Sequence, residues 1–359
     1  MSETRSRVLR IFKFQRVIIP VILGLGVFLF LEFRDFDAEP YYNINWTYYS
    51  YLWIFMAILM MVTRDVAYMY RIRLLTDKQL SWRHSFDVIM LWEFASAVTP
   101  SIVGGSAAAL YIVSKEGIST GRSTAIVMIT AFLDELFYIT TVPVVLLIAG
   151  TSQLFTNDEI PFFFDSKIGV QAAFIAGYIF ILILTTIIIY GVFIRPRGFK
   201  WVLLQIFRLR FLRKWRHSAA ETGDDIITTS REMRGKPFIF WLRAYLATFI
   251  SWSGRFWVVN FLILSITPVG SHLLIWARQL IMWVIMLISP TPGSSGVAEI
   301  IFPSFFGQFI PLGLAAVVAL TWRILSYYPY IIIGAIVLPN WIRRVYAKPK
   351  ANDNKPEKK

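Results

Sequence analysis

The chain has 359 residues, of which 57% are hydrophobic and 16% charged, and its mean hydropathy is +0.59. A soluble chain of this length carries roughly a quarter charged residues, so the composition excludes an ordinary soluble domain and indicates an all-α polytopic membrane protein. The absence of cysteine excludes disulfides, thiol catalysis and Cys metal sites. The three histidines, His84, His217 and His272, are scattered, so neither a His-based metal site nor a Ser-His triad is expected.

A membrane-spanning helix needs about 20 apolar residues. In chain order, full-length candidates are 16–32, 48–69, 123–149, 169–194, 238–265 and 312–338. The first follows a basic N-terminus without a small-residue cleavage site, so it reads as an uncleaved span. Two further apolar regions, 86–114 and 273–309, are each interrupted by a Pro/Gly/Ser cluster. The first cluster is Thr99-Pro100-Ser101-Ile102-Val103-Gly104-Gly105-Ser106, and the second is Thr291-Pro292-Gly293-Ser294-Ser295-Gly296. The arms 86–99 and 106–114 are too short to cross at about 1.5 Å per residue. Lipid tolerates broken backbone only where protein or a water-filled cavity surrounds it.

The formal net charge of +14 admits nucleic acid or an anionic membrane surface as partner; placement of the charges selects the anionic inner leaflet. If both broken regions are re-entrant, segments 1–16, 64–83, 115–122, 195–236 and 343–359 fall on one side and hold thirty of the 36 Lys and Arg residues. The opposite side, 32–47 and 151–167, holds Arg34 and Lys167 against seven acids. Positive residues mark the cytoplasm, so both termini are expected inside the plasma (inner) membrane. The expected architecture is therefore six spanning helices plus two oppositely oriented re-entrant helical hairpins in an inverted-topology repeat. Residues 1–150 form the first repeat, 151–167 an extracytoplasmic connector and 168–345 the second repeat. Residues 346–359 form a basic, disordered cytoplasmic tail. Segment 199–217, where Trp201, Leu204, Phe207, Phe211 and Trp215 alternate with basic residues, reads as an amphipathic helix on the inner leaflet.

Paired breaks in the two halves are the best sequence pointer to a transport site at the bilayer midplane. Each tip starts a new half-helix whose first N–H groups are unpartnered and positive. Gly104, Gly105, Gly293 and Gly296 allow an anion near the backbone; Ser101, Ser106, Ser294 and Ser295 add hydroxyls. The alternative is that the glycines only permit close helix packing. Ionisable residues inside a membrane are functional candidates by default. Here they are Glu93, Asp134, Glu135, Arg255, Arg278, Glu299 and Arg323. Arg255 and Arg278 are candidate phosphate partners, and Glu299 a candidate for a cationic head group, a proton or Arg278; Arg323 joins Arg278 and Glu299 among the substrate-binding candidates, and Glu93, Asp134 and Arg255 form the candidate coupling or ion-pair set. Asp134 and Arg323 occupy near-equivalent points after the two tips, which suggests an ion pair across the repeat. Asp134 and Glu135 point about 100° apart on a helix and make a poor acid/base dyad.

The sequence Thr99-Pro100, Gly104-Gly105, Tyr111, Gly117 and Asp134, followed by Pro290-Thr291-Pro292-Gly293, Gly296, Glu299 and Arg323, resembles the lysylphosphatidylglycerol synthase transmembrane-region family. That flippase-like domain occurs in multiple peptide resistance factors and in stand-alone bacterial and archaeal proteins. The resemblance covers about residues 14–340. It implies movement of aminoacylated phosphatidylglycerol between leaflets. In the resistance factors a separate soluble domain makes the lipid, so the resemblance does not carry that synthesis to this chain. The second tip reads Pro-Gly-Ser-Ser-Gly where a Gly-Gly pair is common in the family.

The function expected is ATP-independent translocation of an anionic or zwitterionic phospholipid, or of a polyprenyl-phosphate. The head group would lie between two half-helix N-termini, with no cofactor, no metal and no catalytic residue. Two alternatives are a proton-coupled transporter of a small anion, working through Glu299 or Asp134, and a membrane-embedded lipid-modifying enzyme. No phosphate loop or dinucleotide fingerprint is present, which argues against a built-in ATPase.

Overall fold

The computed structural model describes residues 42, 44–99, 101–156, 159–161, 167–206, 208, 216–289 and 291–346. The predicted span 16–32, Pro100, Pro290 and the tail beyond Tyr346 lie outside the described residues, as does the side chain of Ser101. Among the described residues five helical segments are long and apolar enough to cross a membrane.

Helix α1 (Tyr48–Leu75) buries Ala57, Met61, Arg64, Tyr68, Arg71 and Leu75. Their spacing of three and four residues makes one stripe. The opposite face exposes Tyr51, Phe55, Ile58, Val62 and Val66, so apolar side chains face outward while arginines face in. Helix α2 (Trp82–Val98) starts at an Ser81 cap and ends at Thr99, whose extended backbone (φ −109°, ψ 141°) suits the residue before a proline. Helix α3 (Ser101–Lys115) folds back along α2. At the far end of this pair Arg344 bonds both Asp87 of α2 (2.9 Å) and Glu116 just past α3 (2.7 Å), which brings the two ends together and defines a helical hairpin.

Helix α4 (Thr120–Ala149) is followed by a short α5 (Thr151–Leu154) and a two-stranded antiparallel ribbon. The ribbon pairs β1 (Glu159–Pro161) with β2 (Lys167–Gly169), Ile160 opposite Ile168. Helix α6 (Val170–Ile188) runs on through a π-helical turn, Ile189–Ile194. The predicted inner-leaflet segment 199–217 is described in two parts, the end of α7 (Pro196–Ile206) and the start of α8 (Arg216–Arg234). These two helices pack together, joined by Lys200–Asp224 at 2.6 Å, while Trp201 stays exposed.

Helix α9 (Phe238–Leu264) is the main partner of α1. Small residues at Ala247, Ser251 and Gly254 let the backbones approach. A Cβ on Gly254 would lie 3.0 Å from the Met60 carbonyl oxygen, and Ser251 Oγ donates to the Arg64 carbonyl oxygen at 3.1 Å.

The second broken region forms helix α10 (His272–Leu287), a 3₁₀ turn Pro292–Ser294 and helix α11 (Val297–Phe306). Arg278, on the first turns of α10, donates to the Phe305 carbonyl oxygen at the far end of α11 (2.8 Å), so this pair is also a hairpin. The last segment is α12 (Ala315–Ser326) and α13 (Tyr328–Tyr346), broken at Tyr327.

The two hairpins come from opposite ends of the bundle. The open end of the first lies with the α1–α2 turn, where Asp77 accepts from Arg122 (2.6 Å) and Lys236 (2.5 Å) at the starts of α4 and α9. The open end of the second lies at the other end of α4, where Arg278 also donates to the Gln153 carbonyl oxygen (2.7 Å).

Candidate functional site

The hairpin tips meet inside the bundle. Tyr327, at the α12–α13 break, donates its hydroxyl to the Ala97 carbonyl oxygen near the end of α2 (2.9 Å) and rests its ring against Gly293. A cavity of about 250 Å³ lies between them. Ser96, Ala97, Thr99 and Ser106 line it from the first tip, and Ser289, Thr291, Gly293 and Ser294 from the second. Helices α1, α4, α9, α10, α12 and α13 complete the wall.

The arginines around this cavity are held by carboxylates. Arg64 of α1 pairs with Glu93 of α2 and with Asp65 (2.6 Å), while Arg255 of α9 reaches the other Glu93 oxygen at 3.3 Å. Tyr330 donates to Asp65 (2.9 Å), and the Arg64 guanidinium lies between the Tyr68 and Tyr330 rings (4.6 and 4.8 Å). About two helix turns further along α1, Arg71 pairs with Asp134 of α4 at 2.6 Å, with Trp252 Nε1 donating to the same carboxylate at 2.9 Å. Removing one partner of such a pair leaves a buried charge uncompensated, which is far more costly than the pair is stabilising.

The second tip is organised by Arg323. Its Nε donates to Glu299 (3.0 Å), and its Nη2 to the Gly293 carbonyl oxygen (3.1 Å) and Ser295 Oγ (3.0 Å). The other Glu299 oxygen accepts from the Gly296 N–H at 2.7 Å. Gly293 and Gly296 take positive φ of 56° and 85°, a region where only glycine is unstrained. The expected anion site at this half-helix N-terminus is therefore corrected: Glu299, the third residue of α11, already places a carboxylate there.

Three further expectations are revised. Asp134 and Arg323 do not pair, because Arg71 and Glu299 respectively claim them. Arg278 is no substrate partner in this cavity; it holds the backbone oxygens of Gln153 and Phe305 at the open end of its hairpin. Gly105 packs directly on Ser96, where any Cβ would collide, so its glycine serves the close approach of α2 and α3. The proposed pairing set Glu93, Asp134 and Arg255 does line the cavity, as do Thr99, Ser106, Thr291, Gly293, Ser294 and Arg323. Ser295 and Glu299 are buried just behind, and Pro292 lies in the 3₁₀ turn.

Arg64 and Arg71 were placed by sequence in a basic cytoplasmic segment, yet both are buried. Their i, i+7 spacing on one face of α1 is the available signal. Glu135 is the intramembrane candidate to which the sequence assigns no partner beyond a poor dyad with Asp134. It lines the cavity, is only 6% exposed, and one carboxylate oxygen has no hydrogen-bond partner.

A bundle of apolar-faced helices around an ion-paired interior cavity is an integral membrane protein of the polytopic helical class. Comparison with known proteins agrees: residues 17–334 match the family described as lysylphosphatidylglycerol synthase TM region, and the chain belongs to that family. It is also similar to the UPF0104 membrane protein of Archaeoglobus fulgidus, 26% identical over 301 residues, covering 80% of this chain and 86% of that protein.

Proposed function

We propose that this protein moves a phospholipid or a polyprenyl-phosphate between membrane leaflets without ATP, the head group passing through the cavity between the hairpin tips. The observation that carries this reading is the meeting of two helical hairpins, entering from opposite ends of the bundle, around one polar cavity. In this reading both hairpins are re-entrant, the halves are an inverted repeat, and the cavity lies near the bilayer midplane. The basic face is cytoplasmic and rests on the anionic inner leaflet of the plasma membrane. Acyl chains stay outside in two apolar grooves of about 550 and 630 Å³ that share Tyr245 along the α4–α9 crevice. The protein acts as a translocator rather than an enzyme, and neither cofactor nor metal has a part in the scheme. Family membership supports a lipid-related role.

The test is reconstitution into liposomes carrying acyl-labelled lipids, read by dithionite accessibility. Faster equilibration than in protein-free liposomes supports the reading. Rates no faster than in protein-free liposomes for every phospholipid and polyprenyl-phosphate tried refute it.

A further inference from the structure

The charges around the cavity balance without one of its carboxylates. Arg64, Arg71, Arg255 and Arg323 bond Asp65, Glu93, Asp134 and Glu299, four cations against four anions. Glu135 of α4 is a fifth acid. It lines the cavity, is 6% exposed, and enters no ion pair or hydrogen bond among the described residues. The nearby cations are already held: Arg71 of α1 by Asp134, Arg255 of α9 by Glu93 and Arg323 of α12 by Glu299. The remaining titratable neighbours bring no positive charge. Tyr68 of α1, Tyr138 of α4, and Tyr327 and Tyr330 at the α12–α13 junction are phenols, and Asp134 is an anion. The walls from α3 and α10 contribute no titratable side chain, and α6 and α8 do not reach the cavity.

Ionisable groups inside a membrane recur as proton relays. A carboxylate removed from water without a partner takes up a proton rather than stay charged. Water filling the cavity solvates Glu135. A phosphate-bearing head group that fills the volume of about 250 Å³ displaces that water and brings a second negative charge, while every arginine keeps its own carboxylate.

We infer that Glu135 is a proton-binding site, and that a phosphate-bearing head group and one proton occupy the cavity together and cross together. The inference rests on the translocation reading and gives it an energy source. The phosphodiester stays an anion. The proton stays on the Glu135 carboxylate until the head group leaves, and then passes to water on the far side. For a head group of single negative charge the step is electroneutral.

The experiment has two arms. In the first, purified full-length protein in nanodiscs is mixed with glycerophosphoglycerol in weakly buffered solution over a series of pH values, and a pH-indicator dye reads proton uptake. Where Glu135 is ionised in the free protein, about one proton is taken up per head group bound, and affinity falls about tenfold per pH unit by linkage. Glu135→Gln, a neutral mimic of the acid, takes up none, while Glu135→Asp retains uptake. In the second arm, proteoliposomes carry acyl-labelled phosphatidylglycerol under an imposed pH gradient, with the membrane potential clamped. Wild type accumulates the labelled lipid in the leaflet facing the alkaline side, beyond protein-free liposomes under the same gradient. No uptake by wild type at any pH at which it is folded overturns the site, and so does equal uptake, or equal accumulation, in Glu135→Gln. Lipid movement faster than in protein-free liposomes but indifferent to the gradient overturns the coupling and leaves the translocation reading standing. Proton uptake on binding with no lipid movement overturns the translocation reading and leaves the proton site standing.

Discussion

Glu299 and Arg323 show how one buried pair can fix a loop. The carboxylate caps α11 through Gly296 and holds Arg323, which in turn grips the Gly293 carbonyl oxygen and Ser295. Both side chains are about 3% exposed. Arg323→Leu should therefore destabilise the protein by about 3–5 kcal/mol, the usual cost of stranding one buried charge. The double variant Arg323→Leu/Glu299→Gln should be more stable than Arg323→Leu alone, because the stranded carboxylate is gone. Thermal unfolding of all three variants in detergent checks this; strictly additive losses would show that the pair is not coupled. The sequence displayed both residues as intramembrane charges but could not pair them. They are 24 positions apart in the chain, and Asp134 lay at an equally plausible spacing.

At the level of elements, close approach rather than hydrophobicity sets the packing, since lipid offers apolar side chains as good an environment as a neighbouring helix does. The α1–α9 contact depends on Gly254 against the Met60 backbone. Gly254→Leu should cost about 1–3 kcal/mol by overpacking, seen as a lowered unfolding temperature in detergent. A wild-type melt would mean that the two helices can separate freely. Gly105→Leu should disrupt the first hairpin itself, because the new side chain collides with Ser96 on the opposing arm. Limited proteolysis would reveal that as new cleavage around 99–106. Protection equal to wild type would instead place the glycine's role in ligand access. The breaks themselves were legible from proline, glycine and shortness of arms. The division of labour among the glycines was not, because it depends on which helix lies opposite.

For the whole molecule, the ion-paired ends place Asp77, Arg122, Lys236, Glu116 and Arg344 around one rim, and Gln153 with Arg278 at the other. The chain has no native cysteine, so single cysteines report cleanly. Gln79→Cys should be protected from an impermeant thiol reagent in intact cells and Ser152→Cys should react; both positions are exposed on the protein surface. Labelling in the opposite sense would invert the proposed orientation. Labelling of both would break the topology.

Composition, the length of apolar runs and the bias of Lys and Arg were enough to give the membrane class, five described spans and the two interruptions, because each of these depends on local sequence and on a slab of fixed thickness. The partners of the charges came only from the fold. Arg64 and Arg71 read as cytoplasmic because a basic residue near a span's end ordinarily snorkels to water; here the inward stripe of α1 carries them against Glu93 and Asp134, on helices 29 and 63 positions away. Glu135 differs from its neighbour Asp134 for the same reason. A step of about 100° along α4 turns one carboxylate toward Arg71 and the other into the cavity, and only the three-dimensional packing decides which of the two finds a cation.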